Sequence, residues 1–116
     1  MTDRISRIAE LNDRCRQGRD PGARIVITAS CLAMLAAGGG LEAELRVQAE
    51  IFVAIQHYRF GADDDPEHRR GEVLISDHPV RFVIDYYDRS LEWGSQDPSD
   101  PEVTTRVMTI MLPEDD

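Results

Sequence analysis

The order of apolar patterns along this 116-residue chain predicts an α+β fold: a largely antiparallel sheet of about four strands with two main helices on one face, in the order α-β-α-β-β-β. Three observations carry that expectation. Residues 3–17 and 41–60 repeat apolar side chains at helical spacing. Residues 23–30, 72–76, 79–87 and 104–112 are short, β-branched or alternating runs bounded by turn residues. The last three of these runs follow one another without a helix between them, which favours antiparallel pairing. With 41% hydrophobic residues, 1–116 reads as a single domain with a real core, closed by an acidic tail at 113–116.

The first helix can be capped by Thr2 or Asp3, and its Ile5, Ile8, Leu11 and Cys15 share a face. Gly18 and "RDPG" stop it. "ARIVITAS" (23–30) reads as a buried strand, whereas residues 31–37 of "CLAMLAAGGG" suit either a helix or a continuation of that strand. In 41–60 the row Leu41, Leu45, Ala49, Phe52 and Ile55, widened by Ile51 and Tyr58, is expected to face the core. Glu42 with Arg46, and Arg46 with Glu50, would pair on the solvent side, and Gly61 would end the helix.

"ADDDPEHRRG" is a polar loop, and "EVLIS" and "PVRFVIDYY" form a hairpin joined through Asp77, His78 and Pro79. Alternation in the second of these strands puts Phe82, Ile84 and Tyr86 on the core face. Arg81, Val83, Asp85 and Tyr87 take the exposed face, where Arg106 of the last strand could join Asp85 in an ion pair or a recognition patch. In "DRSLEWGSQDPSDPE" the Asp97-Pro98 and Asp100-Pro101 pairs are turn formers. Trp93 either folds back to anchor this connection or stands out as a binding hot spot.

Charge narrows the function classes. Residues 1–60 carry 8 Arg against 7 acids, and residues 61–116 carry 5 Arg against 15, so the net −9 lies in the second half. An acidic surface of this kind repels phosphates, which argues against direct nucleic-acid binding and for a basic protein partner. No run approaches the ~18 apolar residues of a membrane span, and the charged N-terminus lacks a signal-peptide centre, so a soluble, cytoplasmic protein is expected. Cys15 and Cys31 form no metal or redox motif and read as small, reduced, buried side chains.

Catalytic motifs are weak. Asp63, Asp64, Asp65, Glu67 and His68 lack calcium-loop spacing, and His57, His68 and His78 contain no close ligand pair. No metal site, cofactor or catalytic residue is therefore expected. The alternative is a small hydrolase or metal-dependent enzyme in which Glu67, His68 and Asp85 approach in space.

The segment "IDYYDRSLEWGSQDPSDPEVTTRVMTIML" resembles the C-terminal signature of a family of small bacterial proteins known as a domain of unknown function. The matching residues are Ile84 to Asp88, Gly94 to Pro101, Thr104 to Val107 and Thr109 to Met111; "RIAELND" and "RIVITA" are similar to it as well. Where that family carries Glu-His-Asp-Phe-Gly before the hairpin, this chain has Glu67, His68, Arg69 and Arg70, so the Asp and the aromatic residue are replaced. The resemblance implies a context near mobile-element genes and no activity. Together with the charge it leads to one expectation: a non-enzymatic acidic module that binds a basic protein, in its sharper form an inhibitor of a nucleic-acid-handling defence protein. The expected partner surface comprises Asp85, Tyr87, Asp88, Trp93, Asp97, Asp100 and Arg106, with Glu67 and His68 as loop candidates. A structural homodimer, formed through the exposed sheet face or the last strand, is the third reading.

Overall fold

The computed structural model describes residues 3–116. Asp3 caps helix α1 (Arg4–Arg16) by accepting the Ser6 N–H at 2.8 Å. Thr2, the other capping candidate, lies outside the described residues. Ile8, Leu11 and Cys15 are buried as their spacing predicts, while Ile5, at the outer end of the row, is exposed.

Strand β1 (Arg24–Ile27) is shorter than expected because Thr28 leaves it to cap a helix, its Oγ1 accepting the Cys31 N–H at 3.3 Å. The undecided segment after it is thus helix α2 (Ala29–Ala36). The chain then reverses through Ala37, Gly38 and Gly40, all at positive φ. At Gly39, the N-cap of α3 (Gly40–Gln56), a Cβ would come within 2.6 Å of the Ala43 Cβ and 3.2 Å of the Ala36 carbonyl, so the turn between α2 and α3 needs glycine there.

That tight reversal decides which face of α3 is inside. The buried row is Ala43, Val47, Ile51 and Ile55. The expected row is corrected: Leu41 is 70% exposed and Leu45 56%, and Ala49 is exposed too, leaving Phe52 half-buried and Ile55 inside. Leu41, Leu45 and Ala49 each lie two positions, about 200° around the helix, from Ala43, Val47 and Ile51, so they face nearly the opposite side. Ile51 and Ile55 of the expected face are inside. The Glu42–Arg46 and Arg46–Glu50 spacings do not close into ion pairs among the described residues.

Helix α3 also ends at Gln56 rather than at Gly61. The cause is tertiary: Arg16 of α1, itself buried, donates through Nη1 to the carbonyls of Ile55 (2.8 Å), Gln56 (3.2 Å) and Tyr58 (2.9 Å). A side chain about 40 residues away in sequence thus satisfies the helix's last carbonyls. Tyr58 and Phe60 then turn inward to pack edge-on against Phe82.

Strands β2 (Arg70–Ile75) and β3 (His78–Tyr87) form the predicted hairpin, but the turn sits at Ser76 and Asp77, both at positive φ, with Ile75 opposite His78. Strand β4 (Thr105–Met111) pairs antiparallel with β3 and parallel with β1, giving the order β1-β4-β3-β2, and a 3₁₀ turn, Pro113–Asp115, follows. The fold is α+β with a mostly antiparallel sheet, and the described residues hold three helices, not two. The last strand is interior rather than an edge, so the homodimer reading cannot use its backbone: hydrogen bonds to both neighbours consume it.

Val80, Phe82 and Ile84 of β3 and Met108 and Ile110 of β4 meet Cys15, Cys31, Val47, Ile51 and Ile55 from the three helices in one core. Each such apolar side chain stabilises the fold by roughly 1.5–3 kcal/mol relative to exposure. On the far face of the sheet Arg81 meets Glu72 at 3.0 Å and Asp116 at 3.1 Å, and Arg70 also reaches Asp116. No helix of the described residues is long and apolar enough to cross a membrane.

Candidate functional site

The connection between β3 and β4 is long but not loose. Asp88 Oδ1 accepts from the Ser90 hydroxyl at 2.9 Å and from the Glu92 and Trp93 N–H groups at 3.1 and 3.4 Å. The Asp88 N–H donates to the Trp93 carbonyl and the Ser95 N–H to the Tyr86 carbonyl, so Gly94 bridges back onto Tyr87. Partial burial pulls the Asp88 pKa upward, but the Ser90 hydroxyl and these backbone donors outweigh it and hold it below the ordinary carboxylate value.

Further along, Asp97 Oδ1 accepts from the Ser99 hydroxyl (2.5 Å) and N–H (3.1 Å), and Asp100 Oδ1 accepts from the Glu102 N–H (2.9 Å). These are the turns that the two Asp-Pro pairs predict. The Ser99 contacts, with Arg4 at 3.4 Å, lower the Asp97 pKa. Thr104 Oγ1 ties the connection together by bonding the Asp97 carbonyl at 2.8 Å and Ser95 Oγ at 2.7 Å.

The result is a pinned loop with an exposed tip. Trp93 is 72% exposed, so it does not fold back as an anchor, and Leu91 and Val103 are exposed nearby. A groove of about 360 Å³ runs beside the ring, lined by Trp93, Val103, Asp88, Glu102 and Arg89 among others. Its lining mixes the carboxylates of Asp88 and Glu102 with Arg89 and the apolar Trp93 and Val103.

Behind the loop lies a buried polar network that the sequence reading missed. Asn12 of α1 is fully buried, and its amide donates to the Tyr86 hydroxyl at 2.7 Å and the Glu67 carbonyl at 3.0 Å. Its Oδ1 accepts from Arg106 Nε at 2.6 Å. Burial pushes the Tyr86 phenol well above its ordinary value, so it stays protonated and donates to Glu67 Oε1 at 2.8 Å. The available signal was an Asn at position 12 amid Ile8, Leu11 and Cys15, on the apolar face of α1.

The profile of a family described as "Protein of unknown function (DUF3768)" matches residues 28–115, three quarters of the chain. The chain belongs to that family. No curated protein matches it, and no solved structure does. The family match takes in α2, α3, the hairpin, the pinned loop and β4, while α1, with Asn12 and Arg16, lies before it.

Within this family member, the residues expected to form one surface divide. Asp85 and Tyr87 stand on the outer sheet face, where Asp85 pairs with Arg69 at 2.7 Å instead of with Arg106. Arg106 is corrected to the core face: β4 is indeed the neighbour, but Arg106 lies opposite Tyr86 and Val107 opposite Asp85. Its parity with Met108 and Ile110 puts its stem inside the sheet–helix layer, leaving it 2% exposed. Asp88, Trp93, Asp97 and Asp100 do share the loop. Glu67, His68 and Asp85 are drawn to three different partners, Tyr86, Asp13 and Arg69 respectively, with His68 Nδ1 3.0 Å from Asp13 and its ring stacked on Phe60.

Proposed function

We propose that this protein is a non-enzymatic acidic protein-binding module whose contact surface is the pinned 88–104 loop and whose partner is a basic protein. The observation that carries the reading is Trp93, 72% exposed on a backbone that is already ordered by its own hydrogen bonds. A rigid aromatic side chain held in water is the usual form of a binding hot spot, because little ordering entropy remains to be lost on docking. Glu92 and Glu102 flank it without ion-pair partners among the described residues, and they suit Arg or Lys on the other side. The sharper form, inhibition of a nucleic-acid-handling protein, draws on the acidity of residues 61–116, which offers carboxylates where such a protein expects phosphates.

The test is affinity capture from the native host lysate at low and high salt, with wild type beside Trp93→Ala and Glu92→Arg/Glu102→Arg. These changes spare the carboxylates that hold the loop. A single salt-sensitive partner whose affinity falls about 30-fold or more with Trp93→Ala supports the reading. Equal capture by both folded variants sinks it.

A further inference from the structure

A second cleft, of about 510 Å³, opens where the end of α1 and the turn into β1 face the start of β4 and the 88–104 loop. Arg14, Arg19, Arg24, Arg89 and Arg106 all line it, and Asp20 is its single carboxylate residue. In a chain of net charge −9 that concentration of positive charge is a built feature of the fold.

Most of this charge is uncompensated. Arg14 shares Glu10 with Arg7, but among the described residues Arg19 meets only the Gln17 amide and Arg89 only the Pro101 carbonyl, at 3.4 Å. Arg24 pairs with no carboxylate among the described residues. Arg106 is the decisive case: 2% exposed, its hydrogen bonds among the described residues go to neutral acceptors, Asn12 Oδ1 and the Pro98 carbonyl at 2.6 Å. Burial pulls its pKa below the ordinary arginine value. Asp20 is the one carboxylate that raises it, and it forms no direct ion pair with Arg106 among the described residues. A buried guanidinium without a directly bonded counter-charge is costly, and an anion in the cleft would offset that cost.

Several planar guanidiniums arriving from different elements suit a tetrahedral dianion better than a carboxylate, whose two coplanar oxygens one or two arginines would saturate. Leu11, Pro21 and Leu91 supply an apolar wall beside them, and the volume lies in the range of small-molecule sites. We propose that this arginine-lined cleft binds the phosphate group of a small phosphate-bearing molecule, with Arg24 and Arg89 as the outer clamp and Arg106 at the floor.

Calorimetric titration of the full chain with inorganic phosphate, and separately with ribose 5-phosphate, tests this against sodium chloride at matched ionic strength. Saturable binding that weakens about tenfold or more in Arg24→Glu/Arg89→Glu is expected, because each charge reversal replaces an attraction by a repulsion. Arg46→Glu/Arg59→Glu, which alters net charge equally away from the cleft, should leave affinity within about twofold. Tighter binding of the ester would identify an organic phosphate as the ligand, and equal binding the free ion. The side-chain N–H resonance of Arg106 should shift on titration without mutation, which keeps the test independent of any variant's folding. The proposal is overturned if no saturable heat appears, if the two double variants bind alike, or if only a single-stranded oligonucleotide binds.

Discussion

Asn12 has a role out of proportion to its size, because one amide satisfies the Tyr86 hydroxyl, Arg106 Nε and the Glu67 carbonyl at once. Asn12→Ala should destabilise the protein by about 3 kcal/mol in urea denaturation, because it strands a buried charged donor, whereas Tyr86→Phe should cost only about 1 kcal/mol. The cysteines make the opposite kind of residue. Both are buried in the core, and burial, followed by Asp20, pushes the Cys15 thiol up to about 12. Neither should react with a disulfide reagent at pH 8 until the protein is unfolded in urea, since the thiolate is the reacting species. The folded pKa of Cys15 lies above its ordinary 9.0, so its contribution to stability is complete below pH 9.0 and declines as pH rises toward about 12.

At the scale of elements, the inward face of β3 was legible, whereas for α3 the helix was legible and its inward face only in part. Alternation with a period of two leaves only two faces to choose between, and Phe82, Ile84 and Tyr86 are the more apolar set. Helix α3 carries two apolar rows, and periodicity cannot rank them. The choice follows from how the Ala37–Gly40 reversal sets α3 against α2 and the sheet. Ile51→Ala should therefore cost about 2–5 kcal/mol in thermal or urea unfolding, whereas Leu45→Gln should stay within about 0.5 kcal/mol. Comparable losses at both positions would mean that the outward row is covered in solution. The register of β3 against β4 had a readable signal that charge obscured: Arg106 shares its parity with Met108 and Ile110, and a long side chain can bury its stem while its head finds oxygens.

Over the whole molecule, acid is the condition that should separate loop from core. Hydrogen bonds from Ser99 to Asp97 and from Ser30 to Asp115 lower those carboxyl pKa values, and Asp88 is lowered by Ser90 and its backbone donors. A carboxylate depressed in the folded state stabilises the fold above its ordinary value of 3.8 and loses that contribution as pH falls through the folded value. Stability should thus hold steady from pH 7 to about 5 and fall below about 4. Trp93 emission should change with it, because Asp88 positions its N–H; an emission constant down to acid unfolding of the core would contradict this.

Taken alone, the sequence determined the α+β class, the hairpin, the Asp-Pro turns, the face of β3 and the uneven charge. These depend on backbone periodicity and on side chains bonding to residues two or three positions away. Only the tertiary structure decided the inward row of α3, the interior place of β4, the Asn12 network and the gathering of arginines from positions 14 to 106 into one cleft. Each of these depends on which distant segments close on one another. Loop closure of that kind is selected by the packing of the whole core, and no local period records it.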